Sequence, residues 1–372
     1  MPKQGAEQDD AAQTTRGLVP LLRTPARLMA GLLLFALLVG VAFVFAQQAG
    51  RTPQQLGPIT RAVLERGYLI CGVTDDLPGF GALTDAGEFA GFDIDFCRAV
   101  AAAMLGDSAA VEFVVLIPEE RAAALSEGRI DMLSRNTTWT YTRDAGAEWD
   151  AIFGPTTFYD GQGIMVLMAS GIRSLRDLAA RVLCTARGTT TIENMLDVME
   201  ERAMPPEIIE FDEVSQAFAA LLDGQCDAFT TDRSGLEAYR ATAPDPGQLV
   251  ILDTILSKEP LGPLSPQSDP QFADIVRWTV YGMIQAEETG ITSQNIDAFM
   301  NSPRRSIQRL LGLNDTPSGV YMGIPNDFMV QVIRQVGNYG EVFERHLTPL
   351  GLQRGLNDLW INGGLLYAPP FR

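Results

Sequence analysis

A strand–helix–strand alternation that occurs twice constrains this chain more than any other feature. The first copy runs as a strand at 68–73, a glycine-rich loop at 74–91, a helix opening on GFDIDFCRAVAAAML, a strand at 111–116, a helix at 118–127 and a strand at 130–133. Phe92, Phe96, Val100 and Met104 recur at helical spacing and face inward. Asp93 and Asp95 fall in that helix's first turn and read as caps and dipole partners rather than ligands. The second copy has a helix at 175–180, a strand at 181–185 and a GTTT turn at 188–191 opening a helix to 203. A strand at 207–211, a helix at 213–223, a strand at 225–230, a helix at 234–240 and a strand at 249–252 complete it. This order of elements builds parallel sheets flanked by helices. Two extended segments, 156–169 with Gly161 and Gly163 and 254–264 with Pro260 and Pro263, read as crossings between the copies. The expectation is an α/β protein of two lobes with a cleft between them. The remainder is read as helices at 270–288, 292–300, 303–311, 327–337 and 339–347, then an irregular tail.

The first 46 residues stand apart. Nineteen uncharged residues at 28–46 follow Arg27, just long enough to cross a bilayer. The basic residues before them would keep that side cytoplasmic and send the rest across. Val44 and Ala46 fit a small-residue cleavage rule that leaves Gln47 first, and an uncleaved anchor is the alternative. No cysteine ends the run, so a lipid anchor is not expected. The segments are therefore 1–46 as signal peptide or anchor, 47–57 as linker, 58–157 as the first lobe, 158–258 as the second, and 259–372 as a return to the first lobe with a helical extension. The whole chain carries a net charge of −18. Residues 1–46 hold four basic against three acidic side chains, which puts the exported part near −19. Such a body is a poor partner for nucleic acid or an anionic membrane. His346 is the single histidine, which argues against histidine-based triads and multi-histidine metal sites, and it is read as structural. Export gives the four cysteines meaning, because oxidising compartments permit disulfides. Cys71, Cys97, Cys184 and Cys226 allow three connectivities, of which pairing within each half is topologically simplest.

Ligands of such sheets gather at the carboxyl ends of the strands. One such end carries LSRNTTWTYTR at 133–143, with six hydroxyls, the Asn136 amide, Trp139 and the guanidinium groups of Arg135 and Arg143. An arginine fork meets a carboxylate through two parallel charge-assisted bonds, and Thr138 can add a hydroxyl. In the other lobe Thr189 and Thr190 lie at a helix start, where backbone N–H groups and the dipole favour an anion. No nucleotide-phosphate loop of the GxxxxGK[ST] or GxGxxG kind occurs. Asp232 follows a strand of that lobe and offers an acceptor for a cation. An α-amino acid bears a carboxylate and an ammonium on one carbon and needs this pairing of partners.

GFDID, the Thr-x-x-x-x-Arg of Thr138 and Arg143, GTT at a helix start and the strand-end Asp232 occur in the order found in the periplasmic amino-acid-binding proteins of ABC transporters, the family 3 solute-binding proteins, which this chain resembles. CGV, LSRNTTWT, YDGQG, KEPLGP and the C-terminal NGGLLYAPP resemble the general or polar L-amino-acid-binding subgroup. The resemblance implies the two-lobed type II periplasmic-binding-protein fold, no cofactor, a monomer, and delivery to a permease. It implies that Arg143 and Thr138, with Thr190 assisting, hold the ligand carboxylate, that Asp232 takes the ammonium and that Asn136 lines the pocket. Leu77 stands where many relatives place an aromatic, so Phe80 is the residue expected over the ligand. Arg135 is expected to meet an acidic or amide side chain. An enzyme such as a dehydratase of cyclic amino-acid precursors, with Glu193 or Asp232 as general acid, and an anchored sensor domain are the rival readings.

Overall fold

The computed structural model describes residues 56–372, except 205 and 315. The apolar run at 28–46 and its cleavage site lie outside the described residues. Among the described residues no helix is long and apolar enough to cross a membrane.

The chain enters through α1 (Pro58–Arg66), whose opening N–H groups are received by the buried Asp269 carboxylate. Strand β1 (Leu69–Val73) follows, then a small antiparallel sheet of β2 (Asp76–Leu77), β3 (Gly81–Leu83) and β4 (Phe89–Ala90). Next come α2 (Phe92–Leu105), β5 (Val111–Val115), α3 (Arg121–Ser126), β6 (Met132–Leu133), α4 (Tyr141–Ala145) and β7 (Ala151–Phe153). The second copy comprises β8 (Phe158–Asp160), β9 (Gln162–Leu167), β10 (Val182–Ala186), α5 (Thr190–Glu200), β11 (Glu207–Phe211), α6 (Val214–Leu222), β12 (Ala228–Asp232), α7 (Arg233–Thr242) and β13 (Leu249–Ile251). Strands β14 (Glu259–Leu261) and β15 (Leu264–Pro266) lead back to α8 (Pro270–Glu288), α9 (Arg305–Leu310), α10 (Phe328–Gln335) and α11 (Tyr339–His346).

Two five-stranded sheets form, β5-β1-β6-β15-β7 and β11-β10-β12-β9-β13. In each, four strands run in one direction and one runs against them, β15 in the first sheet and β9 in the second, so the sheets are mixed rather than wholly parallel. The chain passes between them through β8 and returns through β14, and these two pair antiparallel with Asp160 opposite Glu259. Both predicted crossings thus meet in one ribbon. Its free side is met by Asn357, which accepts the Tyr159 N–H and donates to the Tyr159 carbonyl.

Helix α2 is buried along nearly its whole length because its interior is alanine and large apolar residues, with no face left for solvent. Phe92 and Phe96 pack edge-on or tilted against Phe80, Phe158, Tyr339 and Phe343, so one aromatic cluster joins the first lobe, the crossing ribbon and α11. Asp93 and Asp95 do not cap this helix. Gly91 occupies the N-cap without a side-chain bond, and both carboxylates are buried and engaged elsewhere. Asp95 gathers Arg98, Arg345 and His346, fixing α11 to the first lobe. His346 is therefore a structural hydrogen-bond partner of Asp95. Cys71 is bonded to Cys97, tying β1 to α2, and Cys184 to Cys226, tying β10 to the approach of β12. The disulfides thus lie within each half.

Candidate functional site

Between the two sheets lies a cleft lined by the loops that follow β1, β5 and β6 on one side and β10, β11 and β12 on the other. Arg135, Asn136, Thr138, Arg143, Thr189, Thr190 and Asp232 all line it. The loop after β6 is built by backbone bonds. Ser134 N–H reaches Gly72 O, Trp139 N–H reaches Pro260 O, and Gly262 N–H reaches Thr137 O. Thr140 then caps α4 by accepting the Arg143 N–H at 3.3 Å. This turn brings the buried Arg143 guanidinium back over its own loop, where Nη1 donates to Thr138 O at 3.1 Å. Its other donors have no protein partner among the described residues, and Arg143 lines the cavity. The Trp149 ring lies 5.3 Å beneath the guanidinium carbon and holds it in place.

On the opposite wall, Thr189 precedes α5 and its hydroxyl donates to Ala186 O at 2.8 Å. Thr190 opens that helix and donates to the buried Glu259 at 3.1 Å. Asp232 ends β12. Its Oδ2 accepts Asn136 Nδ2 from the first lobe at 2.9 Å. Further bonds cross the cleft. Arg121 Nη2 donates to Gly188 O at 2.8 Å, Ser215 N–H to Asp76 Oδ2 at 3.0 Å, and Tyr239 O–H to Asp76 O at 2.6 Å. Arg135 lies 3.7 Å from Glu213. The lobes are closed on one another.

Charge is sorted across this space. Arg121, Arg135 and Arg143 are buried on the first lobe. Burial pushes Arg121 well below the usual guanidinium value, and its two arginine neighbours add to the effect. Asp160, Asp232 and Glu259 gather on the other side. Burial first, then repulsion from Asp160 and Glu259, drives Asp232 well above the carboxylate range, against the pull of Arg143 and Arg121. Asp160 is likewise raised by burial, to about 6. A ligand cation at Asp232 and a ligand anion at Arg143 would each relieve a like-charge cluster held out of water.

Two expected residues are elsewhere. Phe80 is 1% exposed and packs edge-on against Phe92 and Phe158, so it belongs to the core rather than covering a ligand. Leu77 lines the cleft at that side. Trp139 is 42% exposed and stacks on Phe153 away from the cavity, because neighbouring residues of an extended loop point to opposite sides and Thr138 takes the inward one. Glu193 is exposed on α5 and does not line the cavity. Arg121 was missed. It shares a helical face with buried Leu125, four residues on, and an arginine on an apolar face is the signal that could have found it. Asp76, also in the lining, lay in a loop with no pattern to single it out.

The general L-amino acid-binding periplasmic protein AapJ of Rhizobium johnstonii is 45% identical over 314 residues, which cover 83% of this chain and 92% of that protein. The glutamate/glutamine/aspartate/asparagine-binding protein BztA of Rhodobacter capsulatus is also 45% identical, over 317 residues covering 83% of this chain and 92% of its own. Among solved structures, an ABC transporter/periplasmic binding protein from Brucella ovis with glutathione bound superposes with a TM-score of 0.81 at 43% identity. The match covers 84% of this chain and 99% of that one. The two mixed sheets, the paired crossings and this likeness make the fold the two-lobed type II periplasmic-binding-protein fold. With the family model matching residues 69–294 and relatives alike over most of both chains, the chain belongs to the bacterial extracellular solute-binding proteins, family 3.

Proposed function

We propose that this protein captures L-amino acids, polar, acidic and amide ones foremost, outside the cytoplasm and delivers them to the permease of an ABC transporter. The observation that carries the reading is one cavity with the Arg143 guanidinium on one lobe and the Asp232 carboxylate on the other. A ligand that bridges them binds the closed arrangement better than an open one and shifts the equilibrium between the two. Arg143 and Thr138 take the carboxylate, with the start of α5 at Thr189 and Thr190 assisting, and Asp232 takes the ammonium. Arg121 and Arg135 supply positive charge for an acidic or amide side chain. The amino acids named for the two relatives fit this set. Glutathione, named for the Brucella protein, also ends in a free α-amino and α-carboxyl group. Binding rather than catalysis is favoured by the relatives, which are named as binding proteins; of the two acids an enzyme reading would enlist, Glu193 is exposed outside the cavity and Asp232 is the one that lines it.

A thermal-shift screen of the common amino acids tests the proposal. A ligand at a hundred times its Kd adds about 2.7 kcal/mol to the folded state and raises the melting point by several degrees. No shift with any amino acid would refute it.

A further inference from the structure

The GFDID run at 91–95 does different work at each position. At Gly91 a Cβ would lie 2.1 Å from Phe80 O, so only glycine lets α2 start this close to the β2–β3 turn. Phe92 and Ile94 disappear into the core. Asp95 turns to the C-terminal extension. Asp93 turns the other way, toward the ligand loop, and its Oδ2 accepts the Asn136 N–H at 2.7 Å.

Asn136 sits at φ +42°, in the left-handed region that residues other than glycine occupy only when their surroundings hold them there. From that position its Nδ2 reaches across the cleft to Asp232. Its Oδ1 is buried and has no partner among the described residues. An orphaned buried acceptor is costly and calls for a donor. It belongs to a cavity-lining side chain joined to the carboxylate assigned to the ligand's ammonium. An ammonium brings three N–H donors, more than one carboxylate accepts well.

We propose that Asp93 is a positioning residue. By holding the Asn136 N–H it fixes the left-handed turn that presents Asn136 Oδ1, beside Asp232, to the ammonium of the bound amino acid. The inference rests on the amino-acid reading above. Asp93 touches no ligand and acts through Asn136.

The test is a mutant cycle read by titration calorimetry, using an amino acid found in the thermal-shift screen and its deaminated analogue. D93N removes the charge from the acceptor, and N136G removes the amide while making the left-handed turn free of strain. D93N should weaken the amino acid about tenfold and the deaminated analogue less than threefold. N136G should weaken the amino acid at least as much. The double variant should bind like N136G alone, because a glycine turn needs no holding and has no amide to aim. Additive losses, equal losses for the two ligands, or wild-type affinity in D93N would each overturn the proposal. D93E, which keeps the charge but displaces the acceptor, replaces D93N in the same cycle if D93N does not fold. A wild-type protein that binds no amino acid would refute the functional reading itself, whereas tight wild-type binding with additive losses would refute only the role of Asp93.

Discussion

Replacing Arg143 with alanine is the most direct perturbation of the site. The guanidinium is buried, keeps a single bond to Thr138 O, and rests on Trp149, so its orientation is set before any ligand arrives. Truncating one side of a buried, hydrogen-bonded charge pair costs about 2–5 kcal/mol, mostly from the partner left unpaired. Arg121 lines the same cavity and retains part of the positive field. The expected loss therefore lies in the lower half of that range, about 2–3 kcal/mol, or roughly 30- to 150-fold in Kd. Arg143→Lys keeps the charge and loses the planar fork, and should fall between, at about tenfold. Calorimetry with an amino acid and with the matching amine that lacks the carboxylate separates this from general damage. Only the amino acid should suffer. A folded Arg143→Ala variant within threefold of wild type, or one that loses both ligands equally, would remove Arg143 from the carboxylate site.

Asp232→Asn should weaken amino acids at least tenfold and deaminated analogues far less, and equal losses would refute its role with the ammonium. Opening the second disulfide with Cys184→Ser and Cys226→Ser releases a loop of sequence separation 42, which chain entropy values at about 4 kcal/mol. An unchanged denaturant midpoint would contradict this. Burial works to raise the Asp95 carboxyl, but His346, Arg345 and Arg98 carry it below its ordinary value. A carboxyl lowered on folding adds stability above the unfolded value near pH 4 and withdraws it as the pH falls further, through the folded value. Urea midpoints should therefore decline below about pH 4, and Asp95→Asn should be less stable at pH 7 and lose that part of the decline. A variant with the wild-type pH profile would refute the assignment.

The two lobes were legible because each strand and helix of the repeats carries its own periodic signal and short connections. The Cys71–Cys97 and Cys184–Cys226 pairs followed from the same simple topology. Arg143, Thr138 and Asp232 could be placed because strand ends converge on a cleft in any such fold. What failed was the direction of individual side chains in irregular backbone. Trp139 and Thr138 are neighbours in one loop, and only the bonds to Pro260 and Gly262 from a distant strand decide which of them faces inward. Phe80 was drawn into the core by Phe92 and Phe158, residues near and far in sequence that no local pattern brings together. Asp93 and Asp95 resembled caps because their position in the first turn is the usual one for caps. The partner of Asp93, Asn136, and those that Asp95 finds on α11 lie more than forty positions away. The opposed strands β9 and β15 escaped notice for a similar reason, since direction within a sheet leaves no mark on the strand itself.

Asn357 copies with one amide what a neighbouring peptide group would offer, giving and taking a hydrogen bond at Tyr159. A lone pair of short strands is marginal in water and open to association along its sides. The tail thus acts as a splint for the crossing ribbon, although it contributes nothing to the cavity lining. Shortening the protein past that asparagine would leave the ligand-facing residues in place, yet amide exchange would then start at the ribbon.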